Sequence, residues 1–122
     1  CLYAGSGSHS LLQYFSEVTH RGLTLTCPSF FGGQGRTLRL PLSMPNMIAD
    51  LATFQFQHQV FLNLEMETAL IFALGQALGH RVASISTAIN NRITGEVLSK
   101  IPQAVDNMIE QALSQLSAGL SE

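Results

Sequence analysis

Two acidic residues flank a methionine in the segment Asn63-Leu64-Glu65-Met66-Glu67. An apolar run ends here and an apolar helical pattern begins, so the segment joins a strand to a helix. A carboxylate only accepts hydrogen bonds and therefore suits the paired hydroxyls of a sugar. Acids in a first helical turn also interact favourably with the helix dipole. The spacing alone favours that structural role, so a sugar-binding role needs further support.

A second group combines an aromatic ring, an amide and a guanidinium at Phe30, Gln34 and Arg36, within a glycine-rich turn. The ring can stack on a planar molecule, and the amide offers a donor beside an acceptor, which suits the edge of a base. Arginine stays charged and donates to carbonyl oxygens. Together these groups can bind a pyrimidine base by stacking and hydrogen bonds. A turn with a core phenylalanine and a solvated arginine explains the same residues, and residue types alone favour it.

A third polar group, Asn90-Asn91-Arg92, is explained most simply as an Asn-rich turn. Two cysteines form neither a disulfide framework nor a metal cluster. The histidines lack ligand spacing, so we expect no metal site. These four residues are His9, His20, His58 and His80.

Charge is scarce, since 11% of the residues are Asp, Glu, Lys or Arg, against about 25% in an average protein. We therefore expect part of the surface to be covered by further chain or by other subunits; a surface rich in Ser and Gln is the alternative. The net charge of −2 and the lack of a basic run disfavour a nucleic-acid partner. The longest apolar stretch, 69–78, is too short to span a bilayer, so no membrane partner is expected.

The chain begins with Cys1 and shows no signal peptide. Together with the low charge, this start leads us to expect a truncated chain. Reduced thiols at Cys1 and Cys27 fit a cytoplasmic location.

Periodicity predicts the elements that position these groups. Alternating strands and helices indicate an α/β fold, with helices covering a sheet and ligands bound at strand ends. Gly79 is expected to cap the third helix. The predicted helices cover 9–20, 45–55, 65–78 and 102–116, and the predicted strands cover 23–27, 37–42, 60–64 and 81–89.

Three segments resemble, in order, the C-terminal signature of uridine phosphorylases of the nucleoside phosphorylase superfamily: Leu62 to Ala69, Leu78 to Arg81, and Asn91-Arg92. Phe30 to Arg36 resembles their uracil-recognition loop. The likeness runs from about residue 9 to about residue 117.

The resemblance implies a three-layer α/β/α fold with a mixed central sheet, of which residues 1–122 form a single C-terminal portion. It implies cleavage of the glycosidic bond of uridine by phosphate, giving uracil and ribose 1-phosphate. Inorganic phosphate is then the co-substrate, with no cofactor, and homo-oligomers are expected. The family binds phosphate further upstream, so we do not assign Gly5-Ser6-Gly7 to phosphate. We expect this chain alone to show little or no phosphorolysis.

On the base side, the resemblance implies that Phe30 stacks on the substrate and that Gln34 and Arg36 hydrogen-bond the uracil edge. Arg92 then supports the base-binding loop. Residues 87–92 contain no acid, whereas purine-specific relatives carry one there, so a pyrimidine is preferred.

On the ribose side, the resemblance implies that Met66 packs on the sugar, that Glu67 accepts from its hydroxyls and that Glu65 lies near them. Arg36 and Glu67 are then the catalytic residues. A nucleoside-binding module without a phosphate site, and a plain α/β interaction domain, are the competing interpretations.

Overall fold

Three short strands form a mixed sheet in the order β1–β3–β2. β1 (Leu23–Thr26) runs parallel to β3 (Gln59–Glu65), and β2 (Gln55–Phe56) pairs with β3 in the antiparallel direction. The structure, a computed structural model, describes residues 4–15 and 20–119. The α/β class that the alternating elements predict and the mixed sheet that the resemblance implies are confirmed.

Helices lie before, between and after the strands. α2 packs on β3 and α3 packs on β1. No helix in the described ranges is long and apolar enough to cross a membrane. The helices are α1 (His9–Leu12), α2 (Met47–Thr53), α3 (Thr68–Ala77) and α4 (Ile101–Gly119).

A tight turn at Gln57 and His58 joins β2 to β3. Both residues have left-handed backbone angles, with φ of 49° and 63°, as in a type I′ hairpin turn. Such turns favour Asn-Gly, so this sequence carries no signal for the hairpin, and the patterning misses β2.

The end of α3 follows the capping rule that its sequence predicts. Gly79 has a φ of 73°, in the left-handed region. Its N–H donates to the carbonyl of Gln76 at 3.1 Å, and the N–H of His80 donates to the carbonyl of Gly75 at 2.8 Å. This pair of bonds is the Schellman motif, which satisfies carbonyls that the helix leaves unpaired. The prediction for Gly79 is therefore confirmed.

Two predicted elements near the start of the chain differ from the structure. The helix predicted over 9–20 ends at Leu12, and residues 16–19 lie outside the described residues. The strand predicted over 37–42 is wrong, because these residues form bends and an irregular loop. Its apolar residues do not face a core: Leu40 is 79% exposed, and Pro41 has no N–H to give to a ladder.

The strand predicted over 81–89 is also wrong as a paired element. Burial alternates from Ala83 to Ala88, as in extended backbone, but the segment joins no ladder with any described residue. Periodicity reports which side chains face inward, whereas a strand also needs a neighbour to pair with. One backbone bond, from the N–H of Ser8 to the carbonyl of Val82 at 2.6 Å, ties this segment to the start of the chain.

Much of the apolar surface of this chain is exposed. Phe15 and Met47 are the only large apolar side chains classed as buried among the described residues. The chain exposes 9359 Å², whereas a compact monomer of 13.2 kDa would expose about 6,400 Å². The scarcity of charge therefore coincides with an excess of exposed surface, which includes many large apolar side chains.

Candidate functional site

The parallel pairing of β1 and β3 brings the two predicted ligand-binding segments to one edge of the sheet. Thr26, the last residue of β1, lies opposite Glu65, the last residue of β3. The N–H of Cys27 donates to the carbonyl of Glu65 at 2.8 Å and extends the pairing by one residue. The loop that carries Phe30 and the turn that carries Glu67 therefore leave the sheet side by side.

The carboxylate of Glu65 bridges the end of β3 and the start of α3. Its Oε2 accepts from the N–H of Glu67 and from the N–H of Thr68, both at 2.7 Å. Its Oε1 accepts from the hydroxyl of Thr26. The same hydroxyl oxygen accepts from the N–H of Ala69 at 2.9 Å. Because first-turn N–H groups have no helical partner, these bonds cap α3.

The ionisation of Glu65 reflects this set of donors. Partial burial opposes the charged form, but bonds from Thr26, from the N–H groups of Glu67 and Thr68, and from the Thr68 side chain outweigh it, so the pKa of Glu65 lies below its usual value. Burial, and then the charge of Glu65, raise the pKa of the Cys27 thiol. Cys27 is therefore a poor nucleophile at neutral pH.

Met66 and Glu67 lie on the turn that Glu65 spans, and both are exposed. The backbone of Glu67 is fixed at its N–H by Glu65 and at its carbonyl by the N–H of Ile71, at 3.2 Å. Its carboxylate is thus carried on a backbone held from both sides. The structure brings these three predicted ribose-side residues together, while their contact with a sugar stays a prediction.

The predicted base-side residues form one cluster. A single turn of 3-10 helix, Gly32–Gln34, ends at Gly35, whose φ is 70°. The Gln34 side chain is buried, with 5% of its surface exposed, and its Oε1 accepts from Arg36 Nη1 at 2.8 Å. Arg36 Nη1 also donates to the carbonyl of Phe30 at 2.5 Å. The guanidinium lies 3.8 Å from the centre of the Phe30 ring, a cation–π arrangement.

Arg92 ties a second loop to this cluster. Its Nη1 donates to the carbonyl of Gln34 at 3.0 Å. The turn that carries Arg92 is closed by Asn91, whose side-chain oxygen accepts from the N–H groups of Ile93 and Thr94 at 2.9 and 3.2 Å. The Asn-rich segment is therefore both an ordinary turn and the support of the glycine-rich loop.

Two positive charges lie near the buried amide. Burial, and then the neighbouring charge of Arg92, lower the pKa of Arg36, although a guanidinium stays protonated at any physiological pH. Such a pair favours a ligand on which negative charge is present or develops.

The base-side and ribose-side clusters share a sheet edge but are not joined by a described contact. The described hydrogen bonds of Gln34 and Arg36 stay within the base-side cluster. One cavity of about 850 Å³, lined by Arg36 and by loop residues 38–43, lies on the base side, and Glu67 does not line it. Among the described residues, no three His, Cys, Asp or Glu side chains are grouped to hold a metal ion.

Sequence reasoning missed Thr26. Its position at a strand end is visible in the sequence, but its pairing with Glu65 depends on the register between two strands that are far apart in the chain. No periodicity encodes that register, so the residue stood out only once the sheet was known.

Comparison with known proteins gives one finding. A family model described as the phosphorylase superfamily matches residues 4–121, which is nearly the whole chain. No curated protein and no solved structure is significantly similar to the chain.

The capping role of Glu65 predicts a pH-dependent loss of stability in Glu65→Gln. The folded-state pKa of Glu65 is lowered, so its stabilisation is present above the unfolded-state pKa and is lost as pH falls through the folded value. We expect the substitution to lower the free energy of unfolding by about 1 kcal/mol at pH 7, with the difference from the parent chain shrinking in acid. Urea denaturation across this pH range measures it.

Glu110→Gln is the matched control, because Glu110 is exposed on α4. It should show no comparable loss at neutral pH. A Glu65→Gln chain as stable as the parent at pH 7 would refute the capping role.

Proposed function

Because the chain belongs to the phosphorylase superfamily, we propose that it carries the nucleoside-binding part of a uridine phosphorylase. The reaction cleaves uridine with inorganic phosphate to give uracil and ribose 1-phosphate, without an organic cofactor or a metal. The observation that carries this proposal is the cluster of Phe30, Gln34, Arg36 and Arg92, whose amide and two guanidiniums are held together on the described contacts.

Arg36 and Gln34 are the residues that recognise the base. Arg36 uses Nη1 for its described bonds, so Nε and Nη2 can donate to a carbonyl oxygen of uracil. The bond from Arg36 to Gln34 Oε1 also orients the Gln34 amide. The Gln34 NH₂ group can then donate to the second carbonyl, while Oε1 keeps a lone pair for the ring N–H.

Cleavage of the glycosidic bond transfers the ribose from the base to phosphate. A phosphate oxygen bonds to C1′ of the ribose as the bond from C1′ to N1 of the base breaks, and the electron pair of that bond stays on the base. The leaving uracil is an anion whose charge spreads to its carbonyl oxygens. Arg36 donates to that charge, and Arg92 adds a second positive charge nearby. A preorganised donor of this kind contributes about 3 kcal/mol in a transition state.

Glu67 and Met66 are the residues that contact the ribose. As the base leaves, the ribose ring becomes positively charged, which favours a carboxylate beside it. Glu67 is exposed on a fixed turn and can accept from the ribose hydroxyls, with Met66 packing on the sugar. Glu65 lies next to this site and holds the turn in place.

The pyrimidine preference rests on the loop that carries Arg92. Residues 87–92 include no Asp or Glu, and the described hydrogen bond from this loop to the base-side cluster comes from Arg92. No carboxyl group in that segment can hold a purine ring nitrogen. A cytoplasmic location belongs to the same proposal, because the free thiol of Cys27 fits a reducing compartment.

A nucleoside-binding module is the second candidate. The described cations of the site, Arg36 and Arg92, both face the base-side loop, and neither is assigned to phosphate. A chain that binds uridine with an affinity independent of phosphate would favour this candidate over the phosphorylase.

Arg36→Gln is predicted to weaken uracil binding at least about tenfold, because a charge-assisted hydrogen bond is lost. Arg36→Lys keeps the charge but not the planar fork and should be intermediate. Isothermal titration of the chain with uracil and with uridine measures both variants.

Arg81→Gln is the control, since Arg81 is an exposed arginine that does not line the cavity next to Arg36 and has no proposed contact with the base. Equal losses in the Arg36→Gln and Arg81→Gln variants would contradict specific base recognition.

We also propose that the chain associates with further copies of itself. α3 contains no charged residue, and three leucines spaced by four along α3 and its C-cap are more than half exposed: Leu70, Leu74 and Leu78. An exposed apolar stripe of this kind is expected to be covered by a partner.

Sedimentation at micromolar concentrations should therefore show species larger than the monomer, and Leu74→Gln should shift them towards the monomer. Leu40→Gln, at a loop position that is more exposed, should shift them less. A parent chain that stays monomeric would refute self-association.

A further inference from the structure

Thr26 lies where β1, β3 and α3 meet. Its hydroxyl donates to Glu65 at the end of β3 and accepts from the N–H of Ala69 in the first turn of α3. One oxygen atom on β1 thus bonds both sides of the turn formed by Met66 and Glu67. The turn is held at its start and at its end by a residue that is not part of it.

We propose that Thr26 is a positioning residue for the ribose side of the site, acting through Glu65 and α3 on the placement of Glu67. This inference rests on the proposed function, in which the turn formed by Met66 and Glu67 binds the ribose. Thr26 lies on a different strand from Glu65 and is not among the site residues that the resemblance to uridine phosphorylases implies.

The chemistry of Thr26 suits this role. A threonine hydroxyl has one proton to donate and lone pairs to accept, and here the proton goes to Glu65 while a lone pair receives the N–H of Ala69. Its branched Cβ restricts the side chain to few rotamers, and its position in the ladder fixes the backbone. The hydroxyl is therefore held in place before any ligand arrives.

Loss of this hydroxyl should affect the ribose side and spare the base side. Glu65 would lose the donor to Oε1, and the N–H of Ala69 would lose its described acceptor. The base-side cluster depends on different bonds, between Arg36 and Gln34 and between Arg92 and the loop backbone. Binding of a nucleoside and binding of a free base should therefore respond differently.

The experiment compares Thr26→Val, which removes the hydroxyl at nearly the same volume, with Thr26→Ser, which keeps it. Thr24→Val is the matched control, because the Thr24 hydroxyl also bonds across the same strand pair, to Asn63 Oδ1 at 2.7 Å. Two readouts are taken on the 122-residue chain: amide hydrogen exchange at Glu67, Thr68 and Ala69 without ligand, and affinities for uridine and for uracil.

In Thr26→Val we expect exchange at these amides to be at least about tenfold faster and uridine affinity to fall about tenfold, with uracil affinity unchanged. Thr26→Ser should restore both readouts, and Thr24→Val should change neither.

Unchanged exchange in Thr26→Val would overturn the positioning role, and so would faster exchange with equal losses for uridine and uracil. A parent chain that binds neither ligand would instead remove the proposed function, and the role at the ribose with it. The exchange data would then still tell whether Thr26 holds the turn, which keeps the two failures distinguishable.

Discussion

The ribose side of the site depends on the hydrogen bonds that the carboxylate of Glu65 accepts. This carboxylate joins the end of β3 to the start of α3 by accepting from two backbone N–H groups and from Thr26. Hydrogen bonds to an ionised carboxylate are among the stronger hydrogen bonds in proteins. They compensate for the partial burial of the charge and make the strand-to-helix turn a defined structure in a chain whose apolar core is small.

The two clusters at this sheet edge have opposite charge, which matches the proposed reaction. Breaking the glycosidic bond places negative charge on the base and positive charge on the ribose. Arg36 and Arg92 lie on the base side, and the exposed carboxylate of Glu67 lies on the ribose side. On the base side, Arg36 is held in place by its bonds to Gln34 and Phe30, and donors placed before the reaction usually make the largest single contribution to lowering such a barrier.

Local features of the fold could be predicted from the sequence. The strands at 23–27 and 60–64 and the helices at 45–55, 65–78 and 102–116 are confirmed, with ends moved by a few residues. Each has a clear period or a capping residue such as Gly79. The strand predicted over 81–89 is wrong because a strand needs a neighbouring strand. This segment has the burial pattern of a strand but no described neighbour with which to pair.

In the candidate site too, the sequence predicts groups that are close in the chain but not contacts between distant segments. Phe30, Gln34 and Arg36 are close in sequence, and the structure brings them into contact. The periodicity predicts Glu65 inside the helix 65–78, where it would interact with the helix dipole, but the structure places it at the end of β3, where it caps α3. The bond from Arg92 to the Gln34 loop and the bond from Thr26 to Glu65 join distant segments. Such bonds follow from strand register and loop docking, which residue spacing does not encode.

The most direct test of this account is to titrate the isotopically labelled chain with uridine and follow the backbone and side-chain NMR signals of both clusters. If the sheet edge forms one nucleoside site, signals of Gln34 and Arg36 and signals of Met66 and Glu67 will shift together with a single dissociation constant. Shifts confined to one cluster, or two clusters that saturate at different uridine concentrations, would contradict it.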